Sequence, residues 1–460
     1  MKAKILAMKK LFAGTVSGGL AAWLMAGSLT LPARALAADV RRDATVAAIE
    51  KVLPSVVNIA TTTLVQYPDG YQEVFTRFYG QRPPTEKLNS IGSGVIIDED
   101  GYLLTNLHVL RRASRVQVKL WNGEVYDAEP RVGTSQKDVA LLQILAPKGK
   151  KFQAMKFAAA DDLLLGETVL ALGNPYGLGG SVTRGILSSK NRRPSSGTEP
   201  LDFQDWLQTD ADINPGNSGG PLLNLRGELI GINAAVYREG QGMGVGFAIP
   251  IKQVSAALED FFTPEAFDGH WFGARVGPFE PPLRVTSVQP RSPAEKAGLR
   301  VGQPITSVNG RPPRNLVDFH GLTTARGDHT ATIQVEADGQ GRTLTAQMIP
   351  FQDLFGQRLG LGLRELAAPE AARVGVNPGE CILIERVEKN SPADQAKLQP
   401  GFLLRAVDDR QTGALLHVAD VISAKQTGDR LKVSFNVPRT FGARAGDYQT
   451  TLTVRQALQK

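Results

Sequence analysis

Between residues 55 and 251 the chain is cut into short β-branched or aliphatic runs by glycine, asparagine and proline. In order they are SVVNIATTTLV, GSGVIID, GYLLTN, RVQVKLW, DVALLQI, TVLALG, GELIGINAAVY and GVGFAIPI. That cadence predicts an all-β sandwich or barrel and excludes an alternating α/β chain. Before it, DATVAAIEKVL reads as a short helix ended near Pro54. After it, IKQVSAALEDFF spaces Val254, Ala257, Leu258 and Phe261 as one face of an amphipathic helix, and a domain boundary is expected near 262–268.

Past that boundary two stretches resemble each other, VQPRSPAEKAGLRVGQPITSVNG from Val288 and VEKNSPADQAKLQPGFLLRAVDD from Val387. Each has a serine N-cap, a proline at the first helical position and an acid three residues after the serine: Ser292, Pro293 and Glu295, then Ser391, Pro392 and Asp394. Helix starts prefer this arrangement because the side chains satisfy orphan N–H groups and the acid favours the helix dipole. A duplicated module follows. With 460 residues, 42% apolar and 21% charged, the chain has material for about three ordinary globular domains.

The first 37 residues are of another kind. Lys2, Lys4, Lys9 and Lys10 precede a mostly apolar stretch from Leu11 to Leu31, and Ala35-Leu36-Ala37 offers the small residues of a cleavage site. This is a secretory signal pattern; an uncleaved membrane anchor is the alternative, weakened by the glycines, serines and threonines in the stretch. The segment holds five cations and no acid, so its removal takes the formal charge from +7 to +2. No nucleic-acid footprint remains. Cys381 is the only cysteine, which excludes an internal disulfide, a cysteine metal cluster and a redox pair. In CILIERV it reads as a small buried hydrophobe.

Residues 213–222, INPGNSGGPL, frame one serine with glycines and asparagines. Such a run is commonly a tight turn. A hydroxyl becomes a useful nucleophile only with a base in reach, an acid to orient the base and N–H donors for the oxyanion. His108, in GYLLTNLHVL, sits at a strand end; Asp138 opens the apolar DVALLQI. Either alone has an ordinary reading, a structural histidine or a solvated strand cap. Together, His108, Asp138 and Ser218 follow the His, Asp, Ser order of two-barrel serine proteases. Gly216 and Ser218 would then supply the oxyanion N–H pair, with Gly219 and Gly220 leaving room for substrate.

TNLHV, DVALL, LALGNPYGLGGSVTRGILS, QTDADINPGNSGGPLLN and GVGFAIPI together resemble the HtrA (Deg) family of secreted serine proteases. GHWFGARV with the SPAEKAGLRVGQPITSVNG repeat resembles its PDZ domains. The resemblance implies a mainly β chain: a trypsin-like protease domain of two six-stranded antiparallel β-barrels over 38–264, then α+β PDZ domains over 268–352 and 353–456. It implies that Ser218 attacks the scissile carbonyl, His108 carries the proton and Asp138 holds the imidazole tautomer, with no metal or cofactor. Peptide capture by β-augmentation is implied in the PDZ grooves, at Trp271-Phe272-Gly273-Ala274 and at Leu361-Gly362-Leu363. VFTRFYG, residues 74–80, is similar to the aromatic segment through which family members form trimers, so a homotrimer or a multiple of it is expected. The second repeat departs from the pattern, with VDD for VNG and Lys397 for glycine, and the first has Gln303 for an acid; the second module is open to a docking role.

The resemblance implies a cell-envelope or periplasmic ATP-independent endoprotease acting on unfolded or misfolded protein. A narrow regulatory protease and a holdase-type chaperone or PDZ scaffold are the alternatives. Asp212 lies six residues before Ser218, where trypsin places a pocket carboxylate, but the resemblance implies a small apolar pocket, with which Asn233-Ala234-Ala235 is consistent, and cleavage after Val, Ala, Ile or similar. GQGMGVG spaces glycines like a nucleotide loop yet precedes a strand, so that reading fails. The glycine-rich 177–183 and 240–244 are expected to move, leaving the oxyanion hole to form on peptide or oligomer contact.

Overall fold

A computed structural model describes residues 39, 41–65, 86–110, 113–173, 180–192, 205–214, 216–234, 245–337, 339–377, 379–438 and 447–455, and Ala44–Lys460 form one unit. Helix α1 (Ala44–Val52) buries Ala48 and Val52, and Pro54 follows in a tight turn. The chain then runs through β1 (Val56–Val65), β2 (Glu86–Ile96), β3 (Tyr102–Asn106), β4 (Arg115–Lys119), β5 (Val125–Thr134) and β6 (Val139–Ile144). These close into an antiparallel barrel in the order β1-β2-β3-β6-β5-β4. A second barrel closes as β10-β11-β12-β9-β8-β7 from β7 (Thr168–Gly173), β8 (Ser181–Arg192), β9 (Trp206–Thr209), β10 (Pro221–Asn224), β11 (Leu229–Ala234) and β12 (Gly246–Pro250). Closure removes open sheet edges, which is how short, Gly-punctuated strands become a stable core.

The expected runs all fold as strands, but β5, β8, β9 and β10 were not among them. Pro130 interrupts β5, whose register shifts between Pro130 and Val132. β8 is bulged on both sides of Ser189 and carries mostly polar side chains, so its apolar alternation is weak.

Helix α2 (Ile251–Phe261) buries Val254, Ala257, Leu258 and Phe261 on the predicted face. The stretch read as a boundary is itself structured. Thr263 Oγ1 accepts from Ala266 N at 3.2 Å and starts α3 (Pro264–Asp268).

The first repeat follows as β13 (His270–Trp271), β14 (Ala274–Gly277), β15 (Arg284–Val288), α4 (Pro293–Ala297), β16 (Ile305–Val308), α5 (Leu316–Thr324), β17 (Thr330–Ala337), β18 (Gln340–Gln347) and β19 (Ile349–Pro350). The second contains α6 (Phe351–Leu359), β20 (Leu361–Glu365), α7 (Ala368–Arg373), β21 (Ile382–Val387), α8 (Pro392–Gln395), β22 (Leu403–Val407), β23 (Arg410–Gln411), α9 (Leu415–Ala424), β24 (Arg430–Asn436) and β25 (Asp447–Thr453). Both expected caps form: Ser292 Oγ accepts from Glu295 N at 3.1 Å and Ser391 Oγ from Asp394 N at 3.2 Å. The departures in the second repeat are absorbed by backbone. Lys397 takes the left-handed conformation (φ 61°) that Gly298 takes (φ 96°), and Asp408-Asp409 make the left-handed turn of Asn309-Gly310. Cys381 is buried, as its sequence context suggests, and burial pushes its thiol pKa up.

Buried apolar side chains run without a break from α1 through the barrels into the first repeat, whereas the second repeat forms a separate cluster that also takes in Trp271 of β13. An aromatic seam fastens the first repeat to the barrels: Phe157 stacks on Phe279 with centroids 4.8 Å apart, and Tyr102 meets Phe262 edge-on at 5.5 Å. Beside it, Asn315 Nδ2 donates to Asp98 Oδ2 at 2.6 Å and Arg314 pairs with Glu99. Phe279→Ala is therefore expected to cost about 3–5 kcal/mol in urea unfolding, the usual loss for a fully buried aromatic whose cavity cannot collapse.

Candidate active site

The barrel register builds the first half of the site. β3 pairs antiparallel with β6 so that Asn106 lies opposite Val139. His108 and Asp138, thirty residues apart in sequence, therefore leave the same end of that ladder. Asp138 Oδ2 lies 2.7 Å from His108 Nδ1, and Oδ1 accepts from His108 N at 2.9 Å. The Asp138 carbonyl accepts from Leu107 N at 3.2 Å and from Asn106 Nδ2 at 3.1 Å. Four hydrogen bonds hold one residue, which sits in the left-handed region (φ 47°) that aspartate tolerates better than most side chains. The ring is fixed through Nδ1, leaving Nε2 as the nitrogen for chemistry. With 35% and 15% of their side chains exposed, His108 and Asp138 lie at the rim of the barrel and not in its core.

The serine turn is positioned from the other barrel. It precedes β10, and its backbone is bound across to the first barrel: Ser93 N donates to Ser218 O at 2.8 Å, and Ser93 Oγ to Gly216 O at 2.6 Å. Gly219 has φ 82°, and a Cβ there would fall 2.3 Å from both Ser93 O and Thr105 Oγ1. Only glycine lets the turn come down on β3, the strand that leads into His108. Within the turn Asn217 N donates to Asn214 O at 3.0 Å, Gly219 N to Asn233 O at 2.9 Å and Gly220 N to Asn217 O at 2.9 Å. Ser181 Oγ donates to Asn217 Oδ1 at 2.7 Å. Gly216 (φ 102°) supplies the left-handed residue that opens the turn.

Other expected site residues have different surroundings. Asn233 is wholly buried and donates through Nδ2 to Leu172 O at 3.1 Å and Pro221 O at 3.0 Å, so its side chain ties strands together instead of facing a pocket. Ala234 is buried beside it, and Ala235 lies outside the described residues, as do 177–179 and 240–244 of the two glycine-rich loops and the VFTRFYG segment. Asp212 is exposed, its carbonyl accepting from Thr183 Oγ1 at 2.7 Å.

In the first repeat, Trp271, Phe272, Gly273 and Ala274 are all buried. Phe272 N and Gly273 N donate to the side chain of Glu265 at 2.9 and 2.6 Å, and Trp271 Nε1 donates to Gln289 Oε1 at 2.8 Å. The corresponding loop of the second repeat lies two residues earlier than 361–363. A Cβ on Gly360 would meet Ser391 Cβ at 2.1 Å, as one on Gly273 would meet Ser292 Cβ at 2.2 Å, so Arg358-Leu359-Gly360-Leu361 is the equivalent of Trp271–Ala274. Glycine spacing alone could not distinguish the two registers in RLGLGL. Sequence reasoning also missed Ser93 and Thr105; the sole signal for Ser93 is that two glycines flank it.

Two closed barrels with a His–Asp pair on one and a glycine-framed serine turn anchored between them define the trypsin-like class of serine peptidases. Residues 92–232 match the trypsin-like peptidase domain family and residues 284–336 the PDZ domain family. A probable periplasmic serine endoprotease DegP-like of Chlamydia trachomatis serovar D is 32% identical over 377 residues, 76% of this chain and 74% of that protein. The periplasmic pH-dependent serine endoprotease DegQ of Escherichia coli K12 is 32% identical over 407 residues, 82% of this chain and 86% of its own. The periplasmic serine endoprotease DegP of the same strain is 31% identical over 426 residues, with 82% and 86% covered. The chain belongs to the HtrA/Deg family and is a periplasmic serine endopeptidase of that type.

Gly219→Ala combines a positive φ with contact against backbone that cannot yield. It is expected to destabilise the chain by about 2–5 kcal/mol in urea unfolding. Casein turnover should fall even at temperatures where the variant stays folded.

Proposed function

We propose that this chain is an ATP-independent endoprotease that degrades unfolded or misfolded protein in the periplasm, with Ser218 as nucleophile, His108 as general base and then acid, and Asp138 as the group that orients the imidazole. The observation that carries the reading is the 2.7 Å contact between His108 Nδ1 and Asp138, at the end of β3, the strand on which Gly219 of the serine turn is packed. In the mechanism, Nε2 takes the Ser218 proton as Oγ attacks the scissile carbonyl, and the imidazolium is stabilised by Asp138. The tetrahedral oxyanion is met by the Gly216 and Ser218 N–H groups. His108 then returns the proton to the leaving amine, and water repeats the sequence on the acyl-enzyme.

Substrates are polypeptides presented in extended form, and the preference for cleavage after Val, Ala or Ile that the family resemblance implies belongs to the proposal. Capture by the first PDZ module through strand addition and terminal-carboxylate binding belongs to the same proposal. So does export with cleavage after Ala37. A homotrimer assembled through residues 74–80 completes it. The narrow regulatory alternative predicts that a panel of denatured proteins is spared while one native target is cut.

Ser218→Ala should abolish casein digestion with the far-ultraviolet spectrum and melting temperature unchanged. Asp138→Asn leaves the shape but disturbs the tautomer, and kcat should fall by about four orders of magnitude, the size seen when this orienting group is neutralised in such triads. Full digestion by either variant removes the residue from its role. Sedimentation of the mature chain should give three times its monomer mass, reverting to monomer in the Phe75→Ala, Phe78→Ala double variant.

A further inference from the structure

The loop assigned to a ligand's terminal carboxylate already holds a carboxylate. Glu265 Oε1 accepts from Phe272 N at 2.9 Å and from Gly273 N at 2.6 Å, and the residue is only 4% exposed. Among the described residues its other oxygen, which is buried, has no hydrogen-bond partner, and the nearest cation is Arg275 Nη1 at 3.8 Å. Burial pushes the Glu265 carboxyl above the usual glutamate range, while Arg275 and the two loop amides pull it back. A carboxylate removed from water to this degree is tolerated because charged acceptors form strong bonds with backbone donors.

The end of α2 and the rest of α3 make contacts on either side of β14 and α5. An extended peptide would add to β14 in the slot facing α5. Along β14, Glu259 of α2 lies so near Gly277 that a Cβ there would fall 2.2 Å from its Oε1, and Asp260 Oδ1 accepts from Arg275 Nε at 3.2 Å. On the α5 side, Asp268 Oδ2 lies 2.9 Å from His320 Nε2, and the Phe267 and His320 rings are 4.7 Å apart. The second repeat offers no vacant equivalent. Leu359 lies in the last turn of α6, and Gly360 N donates to Phe355 O and Gly356 O at 3.1 and 3.0 Å.

We infer that Glu265 is an internal stand-in for a peptide C-terminus, and that α3 is an autoinhibitory plug which a substrate's terminal carboxylate must displace before the first PDZ module can hold it. The inference rests on reading Trp271–Ala274 as a carboxylate cradle and is independent of catalysis. Its consequence is quantitative: the apparent affinity of the module is lowered by the fraction of molecules in which the plug is out.

The test uses the mature chain carrying Ser218→Ala, so that no probe is digested. A short fluorescein-labelled peptide ending in valine, as free acid and as C-terminal amide, is titrated by anisotropy against this chain with and without Glu265→Ala. The free acid is expected to bind about tenfold or more tightly to the Glu265→Ala chain, with the amide unchanged. Equal binding of the free acid to both chains, with the amide weaker on each, overturns the plug and leaves the cradle standing. A folded Glu265→Ala chain that binds the free acid no more tightly than the amide overturns the cradle and the plug together. Should Glu265→Ala fail to fold, Asp268→Ala carries the test, since it removes the acceptor that ties α3 to His320 while sparing the loop. A smaller gain for the free acid alone is expected there, and no gain in the folded variant overturns the inference.

Discussion

Ser218 and Gly219 touch the first barrel through backbone, and the geometry of the cleft depends on that contact. Ser93 donates twice into the turn, through N to Ser218 O and through Oγ to Gly216 O, while Gly219 lies against Ser93 O and Thr105 Oγ1. A bond between backbone groups has no rotamers to fix, so the serine is placed relative to β3 with little side-chain entropy to oppose it. The same β3 continues into His108 and, through its pairing with β6, fixes Asp138. The Ser218 turn is thus hydrogen-bonded to β2 and packed on β3, the strand that leads into His108, even though Ser218 and His108 come from different barrels.

This explains which parts of the site could be seen in the sequence. His108, Asp138 and Ser218 stand out because their neighbours are improbable for any other purpose: a histidine at the end of an apolar strand, an aspartate opening another, a serine among glycines. Ser93 and Thr105 do not stand out. Each is a small hydroxyl residue in a strand, and its importance comes from a partner more than 110 residues away in the chain. The barrels were legible where both faces are buried, as in β6, β7 and β11, because such strands read as continuous apolar runs. β5 and β8 were not, because they expose one face, carry Pro130 or bulges, and pair through backbone whatever their side chains are.

The segment 262–268 shows a different limit. Its Thr-Pro start and glycine end look like a connector, and it does connect. Yet Phe262 packs between Tyr102, Phe267 and Phe279, so the connector is a wedge between barrel and module. Nothing in its local composition reports this, since the aromatic partners come from β3, from the β14–β15 turn and from the wedge itself. Buried apolar side chains are continuous from α1 to β18, so the first repeat shares its core with the barrels.

Buried backbone N–H groups must find acceptors, and that requirement treats the two repeats differently. In the first, the loop follows a short β13, its amides point away from any ladder, and a side chain from the preceding helix meets them. In the second, α6 runs up to Gly360, so helix carbonyls take the equivalent amides and Gln352 of that helix takes both the N–H and the C=O of Leu363. A helix cannot release its own amides without unwinding, whereas Glu265 can withdraw as a side chain while β13 and β14 stay in place. The first repeat therefore retains a route to exchange one carboxylate for another, and the second has converted the same loop into a fixed part of its fold.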